Sequence, residues 1–332
     1  MKLASYATLD QPDTARVGFV LSDSEMIDAE TACRRFAPDF ASPLDMHRLI
    51  EAGPEFWERL RQVQAALGQA SPAELPRLAM DTVRFLPAVP RPSKLCCLAL
   101  NNSANSERIV KGPKHPAVFT KPWSALVGHG QPIRLKPNYG RVHPEPELAI
   151  VIGKLARDID AADAYDYVFG YTIHNDLTSP TMRDEDSFHY RAIHPALEGE
   201  GIRYVESHVS YSGRYKGSDT FSPLGPWIVT RDEIADPHAL DISCHVRDEM
   251  YASDNTVNLF HKLPEVLAFV SSYMTLVPGD VVSMGTALAS GGKPGRAVQN
   301  ADLNKIGGPV SVTVAGIGKL SNPVWAESPA TR

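Results

Sequence analysis

The residues of this chain best suited to chemistry are two glutamates two apart, in His143-Pro144-Glu145-Pro146-Glu147, which runs straight into Leu148-Ala149-Ile150-Val151-Ile152-Gly153. The apolar run reads as a buried strand entered from a loop. Side chains two apart in a strand share a face, so the two carboxylates should project together. Like charges at the mouth of an apolar strand repel and lose hydration unless a cation or strong donors lie between them. A hard divalent metal is the natural partner. The competing reading leaves one glutamate in water and the other in a surface ion pair, as is usual for charged residues. A third carboxylate, Asp176, follows the run from Val168 to Ile173 and His174-Asn175. At the end of a strand facing the pair, it would complete a three-oxygen half-shell with positions left for water and substrate.

The elements that must hold these groups can be read along the chain. The first thirty residues form a small β unit, Lys2 to Ala7 and Ala15 to Leu21, around a turn at Asp10-Gln11-Pro12-Asp13. Ser42-Pro43 marks a helix start. A second helix begins near Pro54, with Phe56, Leu60, Val63 and Leu67 at helical spacing. From Gln69 to Pro92 the prolines and the loss of periodicity read as a linker, which divides the chain into a small N-terminal unit, residues 1–90, and a larger one, 91–332. The larger unit opens with a buried strand, Ser93 to Leu100, followed by a polar stretch, Asn101 to Lys114, suited to a loop or short helix over a site. Short strands follow at Val118 to Pro122 and Pro132 to Leu135, and a brief helix at Ala161 to Tyr167. The 184–215 segment is longer than a connection requires, which fits a lid or a contact with a second subunit. His261 precedes a helix carrying Leu263, Val266, Leu267, Val270 and Met274 and reads as structural.

Composition narrows the class. The chain has 332 residues, 43% hydrophobic and 22% charged, with 27 prolines against 23 glycines, which favours turns and short strands over long helical bundles. Its net charge of -6 is spread without a basic block, so neither nucleic acid nor a membrane surface is an expected partner. The four cysteines, Cys33, Cys96, Cys97 and Cys244, match neither a disulfide framework nor a zinc site. No segment has the pattern of a signal peptide or a membrane span, and a cytoplasmic location is expected. Zinc-protease, nucleophile-elbow, dinucleotide and phosphate-loop signatures are missing.

Five separated motifs give the chain a family resemblance. Glu145-Pro146-Glu147-Leu148-Ala149-Ile150-Val151-Ile152-Gly153, Gly170-Tyr171-Thr172-Ile173-His174-Asn175-Asp176, and the block from Lys216 to Trp227 occur in that order. Pro278-Gly279-Asp280-Val281-Val282 with Met284-Gly285-Thr286, and Gly316 to Val324, complete the series. Residues 93–325 thereby resemble the fumarylacetoacetate hydrolase family. The resemblance implies an α+β, mostly β fold, a mixed β-sandwich roll with a smaller α/β N-terminal domain, assembled as a homodimer. It also implies a divalent ion on Glu145, Glu147 and Asp176. All-oxygen ligation agrees with Mg2+, or with Mn2+ or Ca2+, over zinc. Lys216 resembles the family lysine beside the substrate and Thr286 the threonine that binds it; Tyr171, in the second motif, joins the substrate-binding candidates.

Two departures bear on the reaction. Where many members carry a catalytic histidine after the first strand, this chain has Asn105, with Arg108 where a glutamate often sits; asparagine can hold a water but cannot act as a base. After Asp176 a proline, Pro180, replaces an arginine, and Arg183 takes a glutamine position, where it could pair bidentately with a second acidic group of the substrate. His174 is the spare base, with an unperturbed pKa of about 6.5. The expected activity is hydrolysis of a carbon–carbon bond beside a carbonyl in a small 2-oxo or 2,4-dioxo acid. The alternatives are an oxo-acid isomerase or tautomerase, dehydratase or decarboxylase, which need no such histidine, and a metal-binding protein without catalysis.

Overall fold

The computed structural model describes residues 1–40, 45–68, 75–105, 109–288 and 297–327. Its centre is the glutamate strand, Pro146–Ile152, buried along its whole length. It lies antiparallel to Val168–Asn175 on one side and to Val281–Ser283 on the other. A strand flanked on both edges and covered on both faces must be apolar throughout, which is why the run from Leu148 to Ile152 does not alternate with polar residues. Beyond Val168–Asn175 lies Ser222–Thr230, and beyond Val281–Ser283 the strands Leu95–Ala99 and Ala117–Lys121. Close strand approach fixes Gly170: a Cβ there would sit 2.4 Å from the Val229 carbonyl oxygen.

The N-terminal strands extend the same sheet. Lys2–Thr8 pairs antiparallel with Ser222–Thr230 and with Arg16–Val20. The stretch read as a linker contributes too: Val83–Phe85 pairs with Lys2–Thr8, and Leu78–Ala79 pairs with Glu25–Asp28. Backbone pairing, which composition does not record, accounts for this difference. Ser42 and Pro43 lie outside the described residues. The helix Met46–Glu51 is capped by Asp45, whose carboxylate accepts from the Arg48 amide. In Gly53–Leu67 the buried stripe is Trp57, Leu60, Val63 and Leu67, with Phe56 half-buried beside it.

Two cores sandwich the sheet. Ala149 and Val151 face the N-terminal helices with Leu49, Leu60 and Phe19. Leu148, Ile150 and Ile152 face the helix Leu263–Tyr273 and a second sheet of four strands, ordered Glu249–Asn255, Asp241–Val246, Val310–Val314, Gly318–Asn322. The period-two split of one strand between two cores follows from pleat geometry. The architecture is α+β and mostly β, as expected.

The 184–215 segment is neither a loop nor packed down. Ser187–Pro195 and Ile202–Ser210 form an antiparallel ribbon that pairs with no other strand among the described residues, and most of its side chains are exposed. At its base it joins two short helices, Pro180–Glu185 and Gly213–Gly217. The first carries Arg183 and the second Lys216.

Candidate metal centre

The carboxylates of Glu145, Glu147 and Asp176 converge, each offering an oxygen within 4.8 Å of the others. Local backbone bonds produce this arrangement. The Asp176 amide donates to the Glu145 carbonyl at 2.9 Å, and the Glu145 amide donates to Asn175 Oδ1 at 3.0 Å. The N-D pair of the second motif thus ties the end of one strand to the start of the next.

Two lysines answer the three negative charges. Lys216 Nζ donates to Glu145 Oε2 and Asp176 Oδ2, both at 2.6 Å, and lies 5.1 Å from the Phe119 ring centroid. Lys121, fully buried, donates to Asp176 Oδ1 and, at 2.7 Å, to the Phe221 carbonyl. Burial alone would raise the Asp176 pKa, yet Lys121 and Lys216 hold it below the ordinary carboxylate range. Burial likewise disfavours the Lys216 charge, but Asp176, Glu145 and Glu147 hold its pKa above the usual lysine value. Three carboxylates and two ammoniums leave one negative charge uncompensated. A divalent ion would make the centre net positive by one, suited to an anionic ligand. The donors are hard oxygens, and the residues therefore fit Mg2+, Mn2+ or Ca2+.

Behind the carboxylates a hydrogen-bond chain fixes Glu147. Ser283 Oγ donates to Glu147 Oε2, and that oxygen also accepts from the Gly285 amide at 3.1 Å. Gly285 has φ +96, and a Cβ on it would lie 2.8 Å from Asn101 Cβ, so only glycine can present this amide. Because Ser283 spends its one proton on Glu147, it must accept from His174 Nδ1, 2.8 Å away. His174 is fully buried, and its Nε2 has no partner. Thr286 Oγ1 lies 3.1 Å from both Glu145 Oε2 and Glu147 Oε1.

A cleft of about 640 Å³ opens over Glu145, Lys216 and Thr286. Arg183 lines it, as do Arg141 and His143. Burial lowers the His143 pKa, opposed by Glu145 and assisted by Lys216 and Arg183. Its Nδ1 lies 3.2 Å from the Pro144 carbonyl, which can only accept, so Nε2 carries the lone pair.

The structure thus gathers Glu145, Glu147, Asp176, Lys216, Thr286 and Arg183, but not every residue proposed from sequence. His174 is not among the described residues of the cleft wall; it is buried and reaches Glu147 through Ser283, the geometry of a group positioning a carboxylate. Tyr171 is a core side chain, paired across strands with Ile150, because its strand position points it into the larger core. Asn105 ends the short turn Ser103–Asn105; its side chain, and Arg108, lie outside the described residues. Lys121, Ser283, Arg141 and His143 were missed as site residues. A lysine closing a largely apolar strand, Ala117–Lys121, was a usable signal for Lys121, whereas nothing local marks Ser283.

Comparison with known proteins agrees with this layout. The family model described as the fumarylacetoacetate (FAA) hydrolase C-terminal domain matches residues 94–325. The mitochondrial oxaloacetate tautomerase Fahd2a of Rattus norvegicus is 36% identical over 233 residues, covering 70% of this chain and 67% of that protein. The mitochondrial oxaloacetate tautomerase fahd2 of Xenopus laevis is 31% identical over 328 residues, 98% of this chain and 90% of that one. Maleylpyruvate hydrolase of Sphingobium sp. SYK-6, solved with manganese(II) and pyruvate, superposes with a TM-score of 0.68 at 29% identity, covering 99% of this chain and all of that one.

Proposed function

Since the chain belongs to the fumarylacetoacetate hydrolase family, we propose that it is a divalent-metal-dependent enzyme that interconverts the keto and enol forms of a small 2-oxo acid. The observation that carries this reading is the convergence of Glu145, Glu147 and Asp176, with Glu145 in the wall of a cleft and Lys216 and Thr286, also in that wall, hydrogen-bonded to the cluster. These three carboxylates would hold the ion, with Mg2+ and Mn2+ the first candidates. Bound there, it supplies Lewis-acid charge beside a 2-oxo group.

The chain's own residues do the rest. Lys216 presents its ammonium to the oxygen on which charge develops, a contribution of roughly 3 kcal/mol in comparable sites. The Thr286 hydroxyl orients the carboxylate and keto oxygens of the substrate. His143 takes a proton from the carbon next to the keto group through Nε2 and returns it to carbon or oxygen. Tautomerisation moves one proton and consumes no water, so one cleft imidazole suffices. The tautomerase relatives support this reading. A second one, hydrolysis of a carbon–carbon bond beside the carbonyl, is supported by the likeness to maleylpyruvate hydrolase.

One experiment separates the two. Oxaloacetate and a set of acylpyruvates are supplied with Mg2+ or Mn2+; enol absorbance is followed and products are identified by mass spectrometry. Faster keto–enol exchange without bond cleavage, slowed about 10²-fold or more in His143→Asn, is the expected result. Cleavage into two acids would select the second reading. No turnover of any substrate with either ion would remove both.

A further inference from the structure

Away from the carboxylate centre, the ribbon of Ser187–Pro195 and Ile202–Ser210 brings two imidazoles together. His189 and His208 stand directly opposite each other across the two strands. Both are exposed, and their ring centroids are 3.9 Å apart with the planes tilted by 45°. Opposed residues of an antiparallel pair have Cβ atoms about 4.5–5.5 Å apart. At that separation both rings can turn a nitrogen toward one point about 2.0–2.1 Å from each, the length of a zinc–imidazole bond.

The donor type sets the ion. A neutral imidazole offers a nitrogen lone pair, which suits Zn2+, Ni2+ or Cu2+, whereas the oxygens of Glu145, Glu147 and Asp176 suit Mg2+, Mn2+ or Ca2+. The two positions would therefore sort ions by hardness. Glu206, two residues from His208 on the same face, lies on the diagonal to His189, in register to add a carboxylate oxygen. Water can complete the shell.

The ribbon gains most from a link at this place. It pairs with no other strand among the described residues, and a two-stranded hairpin by itself is marginally stable in water. An ion bound by one imidazole from each strand binds the paired form and not the frayed one, so it stabilises the pairing by mass action. One rung inward on the same face stand Ser187 and Ser210, and Ser210 lines the cleft. Beyond them the chain enters the helices that carry Arg183 and Lys216. A link at the two histidines would thus steady the side of the cleft from which the ribbon springs.

We propose that His189 and His208 form a metal site distinct from the carboxylate centre, taking a borderline divalent transition ion that pins the two strands of the ribbon together one rung from the cleft.

The test uses the full chain with its carboxylate centre saturated with Mg2+. Cu2+, the strongest binder of the divalent series, should give an electron paramagnetic resonance signal split by two imidazole nitrogens, a signature that oxygen donors do not produce. His189→Gln and His208→Gln should each weaken that site about tenfold or more. His194→Gln, on the opposite face of the ribbon, should match the parent. In hydrogen exchange read by mass spectrometry, Zn2+ at ten times its Kd should slow the ribbon amides about tenfold in the parent chain and leave them unchanged in either single variant. A nitrogen-split signal that survives both substitutions, or that His194→Gln weakens equally, would overturn the proposal. Ribbon exchange indifferent to Zn2+ in the parent would overturn it as well.

Discussion

Removal of a single oxygen atom, Ser283 Oγ, is expected to weaken both the fold and its hold on metal. Ser283 is fully buried between Glu147 and His174. Ser283→Ala deletes a charge-assisted hydrogen bond to a carboxylate, about 1.5–3 kcal/mol, and strands the His174 Nδ1–H, about 1–3 kcal/mol. Glu147 Oε2 keeps the Gly285 amide, so the lower end of each range applies, and the loss comes to about 2.5 kcal/mol. With an unfolding entropy of roughly 2.1 cal/mol/K per residue, a chain of this length melts with about 0.7 kcal/mol/K, and the melting temperature should drop about 4 °C. Glu147 is also freed to rotate, so Mn2+ should bind about tenfold more weakly, the low end for loss of a group supporting a metal ligand. Scanning calorimetry of the chelator-treated protein gives the first quantity and titration calorimetry with Mn2+ the second. A cavity effect alone would lower the melting temperature and spare the affinity. An unchanged Mn2+ affinity would therefore refute the proposed orienting chain from His174 through Ser283 to Glu147.

Two further outcomes follow from the charges. Lys216→Met leaves the triad with Lys121 as its one ammonium, and breaking a buried ion pair costs about 3–5 kcal/mol. The variant should melt lower than the parent in chelator and recover more when Mn2+ is added; equal metal-induced gains would contradict the counter-ion role. In the N-terminal unit, burial raises the Asp28 pKa, but hydrogen bonds from Arg16, Tyr6 and Thr31 bring it below the ordinary carboxylate value. A depressed pKa contributes stability in full above the unfolded value of about 3.9 and loses it as pH falls through the folded one. The urea midpoint gap between the parent chain and Asp28→Asn should accordingly be widest near neutral pH and close as the solution is acidified, and a gap independent of pH would exclude this linkage.

The five sequence motifs differ in what the fold makes of them. Glu145 and Glu147 were legible because a two-residue spacing in a strand dictates a shared direction, and Asp176 because its strand runs beside theirs. Other motif residues turn out to be structural. Asp280 accepts from Ser93 Oγ, the Lys94 amide and the Val277 amide, and Asn322 Nδ2 donates to the Gly128 and Gln131 carbonyls. A motif marks a constraint without saying whether packing or chemistry imposes it, which is why Tyr171 was grouped with the substrate contacts. Lys121 and Ser283 were hidden for the opposite reason: each meets its carboxylate across the sheet, 55 and 136 residues away in sequence. The ribbon within 184–215 escaped because its strands expose both faces, and strands of that kind lack the alternation that reveals a half-buried one.

The pairing of Lys2 with Val229 has a consequence in time. Once made, Lys2–Thr8 waits for its partner near the end of Ser222–Thr230, which follows roughly ten to forty-five seconds later at a translation rate of about 5–20 residues per second. Through that interval Val83–Phe85 can cover the edge at Tyr6–Thr8, while the part at Lys2 and Leu3 stays open, an edge of the kind that recruits stray strands and chaperones. The sheet becomes continuous only when Ser222–Thr230 enters between Lys2–Thr8 and Val168–Asn175. Folding of this protein should therefore be slow and late, governed by the arrival of one strand, with Lys216 delivered just ahead of it.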